Sequence, residues 1–366
     1  MLVRPRDLMA TFNEDGSILL RSTSRGVGVK APAFASAVLA FCSKPRSPRD
    51  IEDALGPPAV AVYHQLAKLG LLVAPENRED TPVIFHNFAA IEIHRRMLSD
   101  ERRLEAYRAG IRAVVRPGDV VIDAGSGTGI LAIYAALAGA RRVYAVERTE
   151  MAEAIEQIAA DSGVADRVEV VRGDISTVKL PEKARILVTE TYGCMAFAEG
   201  CMPEIMICAA NNLEPDGVMV PEAHGLCLAP VAHAPALLRP FRRREDGVDL
   251  RSLRGDAEGR SMEAQVDPGQ IGPITRFGPW RTPHDGLFEG VLSLSEPCDA
   301  LCGWFDLYFP GGGALLMSPE HPPTHWNQSL IPLALEPGTY EVRSGYAPED
   351  RRTMLLDIGG HEVRIR

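Results

Sequence analysis

Residues 121–147 read VIDAGSGTGILAIYAALAGARRVYAVE, and this stretch indicates the fold. An apolar run that ends in alternating glycines is typical of a buried strand followed by a tight turn into a helix. The next residues have the helical apolar period near 3.6, and RRVYAVE then has the pattern of a second strand. Two further strand patterns, RVEVVRGD (167–174) and ARILVTE (184–190), follow with helices between them. This alternation predicts an α/β fold with a doubly wound parallel sheet.

The glycine-rich turn indicates a nucleotide-like cofactor. Asp123 closes the first strand, and Gly125, Gly127 and Gly129 follow at alternate positions. Glu147 ends the next strand, where a carboxylate can bind both hydroxyls of a ribose. The NAD fingerprint requires GxGxxG, whereas GSGTGI has its third glycine one residue early. An acidic residue before the glycines is typical of S-adenosylmethionine sites. The pattern therefore favours a class I methyltransferase over a dehydrogenase.

The chain divides into three predicted segments. Residues 1–78 have two short strand patterns around the turn NEDGS, helical patterns at 33–42, 47–55 and 59–70, and a closing strand LLVA. This order predicts a small α+β winged-helix domain. Residues 79–220 form the Rossmann-like domain, and residues 221–366 have the short alternating runs of a β-barrel or a β-sandwich. A charged, helix-like insertion near 235–262 is predicted to protrude from the barrel as an arm.

Composition and charge restrict the partners. The chain has 366 residues, and its formal net charge of −10 favours a cationic substrate over a nucleic acid. Residues 1–80 hold about ten basic and nine acidic side chains, which is far from the basic surface that DNA binding requires. No apolar run is long enough for a membrane span, and the N-terminus lacks a signal-peptide core. The seven cysteines include no CxxC pair, so we expect reduced thiols, no metal site and a cytoplasmic protein.

Two carboxylates stand in a stretch that otherwise suits burial. Glu190 and Glu199 flank small and apolar residues in TETYGCMAFAEG (189–200). Buried glutamates are rare unless they are paired or take part in chemistry. From these residues alone, one exposed helix-flanking glutamate and one unrelated loop glutamate are the simpler interpretation, since structural ion pairs are common. The motifs on either side of the pair decide between the two interpretations.

Residues 83–366 resemble the protein arginine methyltransferases. The resemblance rests on four motifs in order: HRRMLSDERRLEAY (94–107), the glycine motif with Glu147, TETYGCMAFAEG, and PPTHWNQ (322–328). It implies a β-barrel domain after the Rossmann-like sheet, a dimerisation arm, and a homodimer that uses S-adenosylmethionine and releases S-adenosylhomocysteine.

The resemblance also implies site residues, which fall into three groups. The catalytic residues would be Glu190 and Glu199, with Asp100 and His325 as a supporting pair. The cofactor would be bound by His94, Met97, Arg103, Asp123, Gly125, Ser126, Gly127, Gly129, Glu147, Asp174, Ile175 and Glu190, with Arg103 pairing with the cofactor carboxylate. The substrate would contact Tyr192, Cys194, Thr324 and Trp326.

The first segment is similar to precursor-peptide recognition elements, the small winged-helix domains of pathways that modify ribosomally made peptides. That resemblance implies capture of a leader peptide as an added strand. It rests on element order alone, and a stabilising or dimerising appendage is an equal alternative.

Departures from the family pattern leave the substrate open. IFHNF (84–88) lacks the two tyrosine hydroxyls that are common over the cofactor, Cys194 and Ala198 replace larger side chains, and Ser176 stands where the family has an adenine-binding acid. Another peptide amine, terminal or ornithine-like, is therefore an alternative acceptor. A small-molecule methyltransferase and a catalytically silent peptide-binding protein are further alternatives.

Overall fold

The computed structural model describes residues 1–4, 9–12, 17–22, 27–75, 91–232, 244–245, 248–249, 260–348 and 350–365. Contacts divide the chain into two units, Met1–Ile93 and His94–Arg366. The predicted boundary near residue 78, the turn at 13–16 and the IFHNF segment lie outside the described residues. None of the described helices has the length and apolar content that are needed to cross a lipid bilayer.

The first unit is a three-stranded meander followed by three helices. Its elements are β1 (Met9–Phe12), β2 (Ser17–Ser22), β3 (Val27–Pro32), α1 (Ala35–Phe41), α2 (Pro48–Leu55) and α3 (Pro57–Lys68). The sheet is antiparallel in the order β1-β2-β3. Ile18, Leu20, Val38, Ile51 and Leu66 are buried in one core.

Three details of this unit differ from the sequence predictions. β3 was not predicted, because its glycine and proline weaken the strand pattern. The predicted closing strand is reduced to a single bridge between Val73 and Val3. The third helix begins at Pro57 rather than residue 59, since proline is well tolerated in the first turn.

The second unit begins with the predicted parallel sheet. Its strands are β4 (Val120–Ala124), β5 (Arg142–Glu147), β6 (Val168–Arg172), β7 (Ala184–Thr189) and β8 (Leu213–Val220). Its helices are α4 (Ile91–Leu98, which begins in the first unit), α5 (Glu101–Val114), α6 (Ile130–Leu137), α7 (Ala152–Asp161) and α8 (Cys201–Asn212). The strand order is β6-β5-β4-β7-β8, all parallel. The order reverses between β4 and β7, so a ligand crevice is expected beyond the carboxyl ends of these two strands.

Antiparallel sheets follow, as predicted for the barrel. The strands of this region are β9 (Ala223–Val231), β10 (Arg244–Glu245), β11 (Val248–Asp249), β12 (Met262–Ala264), β13 (Thr275–Arg281), β14 (Glu289–Leu294), β15 (Ala300–Phe309), β16 (Gly313–Leu315), β17 (Gln328–Ile331), β18 (Gly338–Ala347), β19 (Asp350–Ile358) and β20 (His361–Ile365). One sheet has the order β12-β17-β15-β9-β13, with β16 beside β15, and the other has the order β14-β18-β19-β20.

The described residues of the predicted helical arm are not helical. β10 and β11 pair as two short antiparallel strands. The sequence between them is Asp-Gly, which favours a hairpin over a helix. The rest of the arm lies outside the described residues, apart from its last residues near β12.

One core joins the Rossmann-like helices to the barrel. Tyr107 and Ile111 of α5 are buried together with barrel residues. A Cβ atom added to Gly110 would lie 2.8 Å from the Phe309 ring, so α5 packs on β15 at a position that has no side chain. The Tyr107 ring also meets Phe309 edge-on. The sheet and the barrel therefore position the two sides of the site within one unit.

Candidate active site

The glycine loop between β4 and α6 has the conformation that its sequence predicts. Gly125, Gly127 and Gly129 have φ values of 80°, 54° and 77°, in the left-handed region that favours glycine. An added Cβ atom would lie 2.5 Å from Thr191 Cγ2 at the first position and 2.6 Å from Ile155 Cγ2 at the third. Larger residues are therefore excluded, and the backbone stays accessible to a ligand.

Asp123 at the end of β4 presents a carboxylate oxygen with no partner. Its Oδ2 accepts a hydrogen bond from Ala132 N at 3.0 Å. Its Oδ1 is buried and has no hydrogen-bond partner. Burial raises the pKa of Asp123 to about 7. A buried oxygen of this kind calls for a donor, and the ammonium group of S-adenosylmethionine would supply one.

Glu147 at the end of β5 is fixed by two backbone groups. Oε2 accepts from Gly127 N at 2.7 Å, and Oε1 accepts from Thr149 N at 2.7 Å. The buried carboxylate is thus tied to the glycine loop, and each oxygen keeps a second lone pair for a ribose hydroxyl. Ser126 Oγ donates to Asp123 O at 2.9 Å, which closes the same turn. These donors and acceptors fit the predicted cofactor.

At the end expected for the adenine, Asp174 is already bonded. Its Oδ1 accepts from Ser176 N at 2.8 Å and Ser176 Oγ at 2.6 Å, and its Oδ2 pairs with Arg148 Nη1 at 3.0 Å. Burial opposes ionisation, but the bonds from Ser176 and the Arg148 charge lower the pKa of Asp174. Ile175 is buried beside it. Sequence reasoning missed Arg148, although its place directly after Glu147 was a usable signal.

The glutamate hairpin, residues 190–199, connects β7 to the turn before α8. Met195, Ala196 and Glu199 have φ values of 51°, 69° and 74°, although none is glycine. Such residues store backbone strain and cluster at functional sites. Burial, and then the charge of Glu190, raise the pKa of Glu199 to about 7.

Glu190 lies between a cation and an imidazole. Its Oε1 is 2.9 Å from Arg103 Nη1 and 3.6 Å from His325 Nε2. Arg103 Nη2 also donates to Met97 O at 2.8 Å, while Arg103 Nε is buried without a hydrogen-bond partner. The residue predicted to bind the cofactor carboxylate thus also holds the first glutamate.

Asp100 and His325 are in contact, as the resemblance implies. Asp100 Oδ2 accepts from His325 N at 2.8 Å and lies 3.1 Å from His325 Nδ1, while Oδ1 accepts from Arg103 N at 3.0 Å. The last bond makes Asp100 the N-cap of α5. Burial opposes ionisation, but the His325 hydrogen bonds lower the pKa of Asp100.

The Thr-His-Trp loop before β17 is tied to the hairpin and to α4. Trp326 Nε1 donates to Tyr192 O at 2.7 Å. Arg96 Nη2 donates to His325 O and to Glu263 Oε1, each at 2.5 Å, and Asn327 Nδ2 donates to the same Glu263 oxygen at 2.6 Å. Sequence reasoning missed Arg96 and Glu263. Glu263 had no local signal, since it stands at the edge of the charged arm.

The remaining predicted residues differ in position. His94 is buried, with its ring beside Gly127, and Met97 is half-buried on α4. Thr324 is buried, and its Oγ1 has no hydrogen-bond partner. Cys194 is half-buried, and burial raises its pKa to about 11, so the thiol stays protonated at neutral pH.

Tyr192 is the last of the predicted substrate-binding residues. It is buried, and its ring stacks on the ring of Phe305 with 5.7 Å between centroids.

The seven cysteines are unpaired thiols. No group of three potential metal ligands occurs in the part of the chain that the structure describes.

Comparisons with known proteins bear on the fold and on the enzyme class. Residues 87–206 match the TRM5/TYW2 methyltransferase domain, and the predicted enzyme class is confirmed. Among relatives, protein arginine N-methyltransferase PRMT10 of Oryza sativa subsp. japonica is 42% identical over 297 residues, which cover 68% of this chain and 77% of the relative. Protein arginine N-methyltransferase 6 of Danio rerio is 28% identical, with 68% and 78% covered.

Two solved structures share the fold. The PRMT1 enzyme–prozyme heterotetrameric complex of Trypanosoma brucei with AdoHcy matches with a TM-score of 0.67 at 24% identity, covering 76% of this chain and 100% of that chain. Protein arginine methyltransferase 10 of Arabidopsis thaliana matches with a TM-score of 0.63 at 23% identity, covering 76% and 97%. With the 42% identity to the rice relative, the chain belongs to the protein arginine N-methyltransferase family.

Proposed function

We propose that this chain is an S-adenosylmethionine-dependent N-methyltransferase whose acceptor is an arginine guanidinium in a peptide. The observation that carries the proposal is the geometry around Glu190, whose Oε1 lies 2.9 Å from Arg103 Nη1 and 3.6 Å from His325 Nε2, with His325 Nδ1 3.1 Å from Asp100 Oδ2. Glu199 stands at the other end of the same strained hairpin. Pairs of titratable groups with separated roles mark catalytic sites. The unpartnered Asp123 Oδ1 supports the cofactor assignment.

The chain's own residues would bind and orient the acceptor. When bound, S-adenosylmethionine supplies a methyl group on a positively charged sulfur. A protonated guanidinium is a poor nucleophile, so Glu190 and Glu199 must draw its charge toward themselves and fix its plane. Fixing the acceptor in this way also removes much of the entropic cost of reaction.

His325 is placed to accept a proton from the Glu190 side. Its Nδ1 lies 3.1 Å from Asp100 Oδ2, so the Nδ1–H tautomer leaves the Nε2 lone pair facing Glu190 Oε1 at 3.6 Å. Asp100 would stabilise the imidazolium that forms. The proton released by the methylated nitrogen would pass from Glu190 to His325 Nε2. Arg103 Nε, which has no partner, is the donor available to the cofactor carboxylate.

The first unit would recruit the peptide through its sheet. β3 is an edge of the meander, with β2 as its neighbour in the order β1-β2-β3. An edge strand over a filled core suits β-strand addition by an extended leader segment. We further propose that the chain acts as a homodimer through the arm. An appendage that binds no peptide is the alternative for this unit.

Mass spectrometry on candidate precursor peptides tests the proposal. The full chain is incubated with S-adenosylmethionine and peptides from short reading frames beside its gene, each with and without the N-terminal half. Methyl groups on arginine, and a loss of turnover without the leader half, are expected. Methylation of another amine overturns the acceptor, and equal turnover of the truncated peptides overturns recruitment. Sedimentation of the full chain as a monomer overturns the dimer.

A further inference from the structure

We propose that two buried barrel residues, His224 and Thr282, position the glutamate hairpin and so set the geometry of the two carboxylates. The proposal deepens the proposed function, because it assigns positioning residues to that same site. Neither residue is expected to touch substrate or cofactor. Both act through Tyr192 and Phe197, which belong to the hairpin.

His224 supports both legs of the hairpin. It lies on β9 and has no exposed surface. Its ring meets Tyr192 edge-on at 5.6 Å and Phe197 at 5.1 Å between centroids. Tyr192 follows Glu190 by two residues, and Phe197 precedes Glu199 by two residues. One imidazole therefore contacts the chain beside each carboxylate.

Thr282 joins His224 to Tyr192 by hydrogen bonds. Its Oγ1 lies 3.1 Å from His224 Nδ1 and 3.4 Å from the Tyr192 hydroxyl oxygen. Burial lowers the pKa of His224 to about 3, so the ring is neutral and one nitrogen can accept. We assign the direction in which Tyr192 donates to Thr282 and Thr282 donates to His224 Nδ1, because it leaves the ring hydrogen on Nε2, among aromatic rings. Thr282 N donates to Glu222 O at 2.9 Å, which fixes the threonine itself.

The surroundings of the other imidazole nitrogen fit a supporting role. His224 Nε2 is buried without a hydrogen-bond partner. Besides Tyr192 and Phe197, the rings of Trp280 and His284 lie around the imidazole, with centroids 6.3 Å and 6.2 Å away. In the assigned direction Nε2 carries the hydrogen, and an N–H group among aromatic rings can interact with a ring face.

The hairpin needs such support because its backbone is strained. Met195, Ala196 and Glu199 hold left-handed φ values that side chains rarely adopt. Strained residues persist only where their surroundings determine the conformation. Tyr192 and Phe197 bracket Met195 and Ala196 in the chain, and the Tyr192 carbonyl also accepts a hydrogen bond from Trp326 Nε1. Loss of the hydrogen bonds among Tyr192, Thr282 and His224 would therefore move both glutamates and the Thr-His-Trp loop together.

The test compares near-isosteric variants that keep the core filled. Thr282→Val and Tyr192→Phe each remove one hydroxyl, and Thr282→Ser restores it. We expect the first two to lower kcat by roughly ten- to a hundredfold, with a cooperative thermal unfolding transition retained and unchanged affinity for S-adenosylhomocysteine. Thr282→Ser keeps the hydroxyl and should retain most of kcat. The double variant should lose no more kcat than Thr282→Val alone, because that substitution already removes the bond to Tyr192.

A matched control variant removes the same type of hydrogen bond at another place in the barrel. Ser318 Oγ lies 2.8 Å from His321 Nδ1 in the barrel, so Ser318→Ala breaks a hydroxyl–imidazole bond that involves no residue of the hairpin. It should leave kcat unchanged. Wild-type kcat in Thr282→Val, or additive losses in the double variant, would overturn the positioning role.

A second readout separates this proposal from the proposed function. NMR titration of the Glu199 carboxyl reports its distance from Glu190 without any turnover. In the wild type we expect a midpoint near 7, from burial and the Glu190 charge. Thr282→Val should shift that midpoint, and Ser318→Ala should not. If no peptide is methylated, the proposed function fails, and the titration still decides whether Thr282 positions the hairpin.

Discussion

The glycine loop and the glutamate hairpin both follow a central strand of the parallel sheet, yet they reach unusual backbone conformations in opposite ways. The loop uses glycine at each left-handed position, whereas the hairpin forces Met195, Ala196 and Glu199 into that region. The loop therefore adopts these φ values with little backbone strain, whereas the hairpin depends on packing from the barrel to hold them. Each region also has one carboxyl group with a pKa raised to about 7, the buried Asp123 just before the loop and the half-buried Glu199 in the hairpin.

This difference indicates that the glycine loop and the hairpin have separate roles in the site. The cofactor side is set by local sequence and by strand ends, and it presents backbone groups. The acceptor side is set by long-range contacts, and it presents carboxylate side chains whose like charges repel each other. Changes at the loop should affect cofactor affinity, and changes at the hairpin should affect turnover.

The largest expected effect comes from Glu199→Gln. Removing one of the two charges that orient the guanidinium should lower kcat by roughly 10²–10³-fold. Affinity for S-adenosylhomocysteine, measured by calorimetry, should stay nearly unchanged. Glu204→Gln is the matched control, because it removes a half-buried carboxylate on α8, just beyond the hairpin. Wild-type kcat in Glu199→Gln would contradict the assigned mechanism.

Asp123→Asn should show the opposite pattern. The amide cannot pair with an ammonium group as a carboxylate does, so we expect roughly ten- to a hundredfold weaker cofactor binding. With saturating cofactor, kcat should change little. Asp119→Asn serves as control, since Asp119 directly precedes β4, at the end of the strand away from the loop. Equal losses in both variants would mean that the unpartnered oxygen is unrelated to the cofactor.

The pH dependence should separate the two carboxyl groups. Each must be ionised to bind a cation, so kcat/KM for the peptide at saturating cofactor should fall about tenfold per pH unit below 7 through Glu199. Cofactor affinity should fall over the same range through Asp123. A peptide profile that stays flat down to pH 5 would show that Glu199 is ionised throughout.

The pH dependence of the free energy of unfolding has the opposite sign to that of kcat/KM. Because the pKa of Glu199 rises from 4.5 to about 7 on folding, the folded chain binds more protons between these values. The free energy of unfolding should therefore decrease as pH rises through this window. In Glu199→Gln, denaturant unfolding at several pH values should show less of this decrease.

The smallest effects concern backbone strain. Ala196→Gly should stabilise the chain by about 1 kcal/mol, because glycine tolerates a left-handed φ. Gly129→Ala should destabilise it, because the new Cβ atom would meet Ile155. Ala135→Gly within α6 is the matched control and should cost roughly 0.5–1 kcal/mol. Denaturant unfolding measures all three, and destabilisation by Ala196→Gly would show that the hairpin is not strained.

The sequence predicted the cofactor side of the site more fully than the acceptor side. Asp123, the glycines and Glu147 occupy fixed offsets from strand ends, so their arrangement follows from a parallel sheet. Glu190 and Glu199 were found as a pair because charge is unusual in an apolar stretch. His224, Thr282, Arg96 and Glu263 were missed, because their roles depend on contacts between residues far apart in the chain. The edge strand β3 and the strand pair β10–β11 were missed for local reasons, namely glycine and proline in one and charge in the other.

The contact at Gly110 is a pivot point for helix α5. The helix touches the Phe309 ring there, and its N-cap Asp100, which holds His325, lies ten residues away, about 15 Å along the axis. At that arm length a tilt of about 4° displaces the carboxylate by about 1 Å, which is enough to break its bond to the imidazole. The alignment of Asp100 with His325 therefore depends on a helix–strand contact about 15 Å away along the helix.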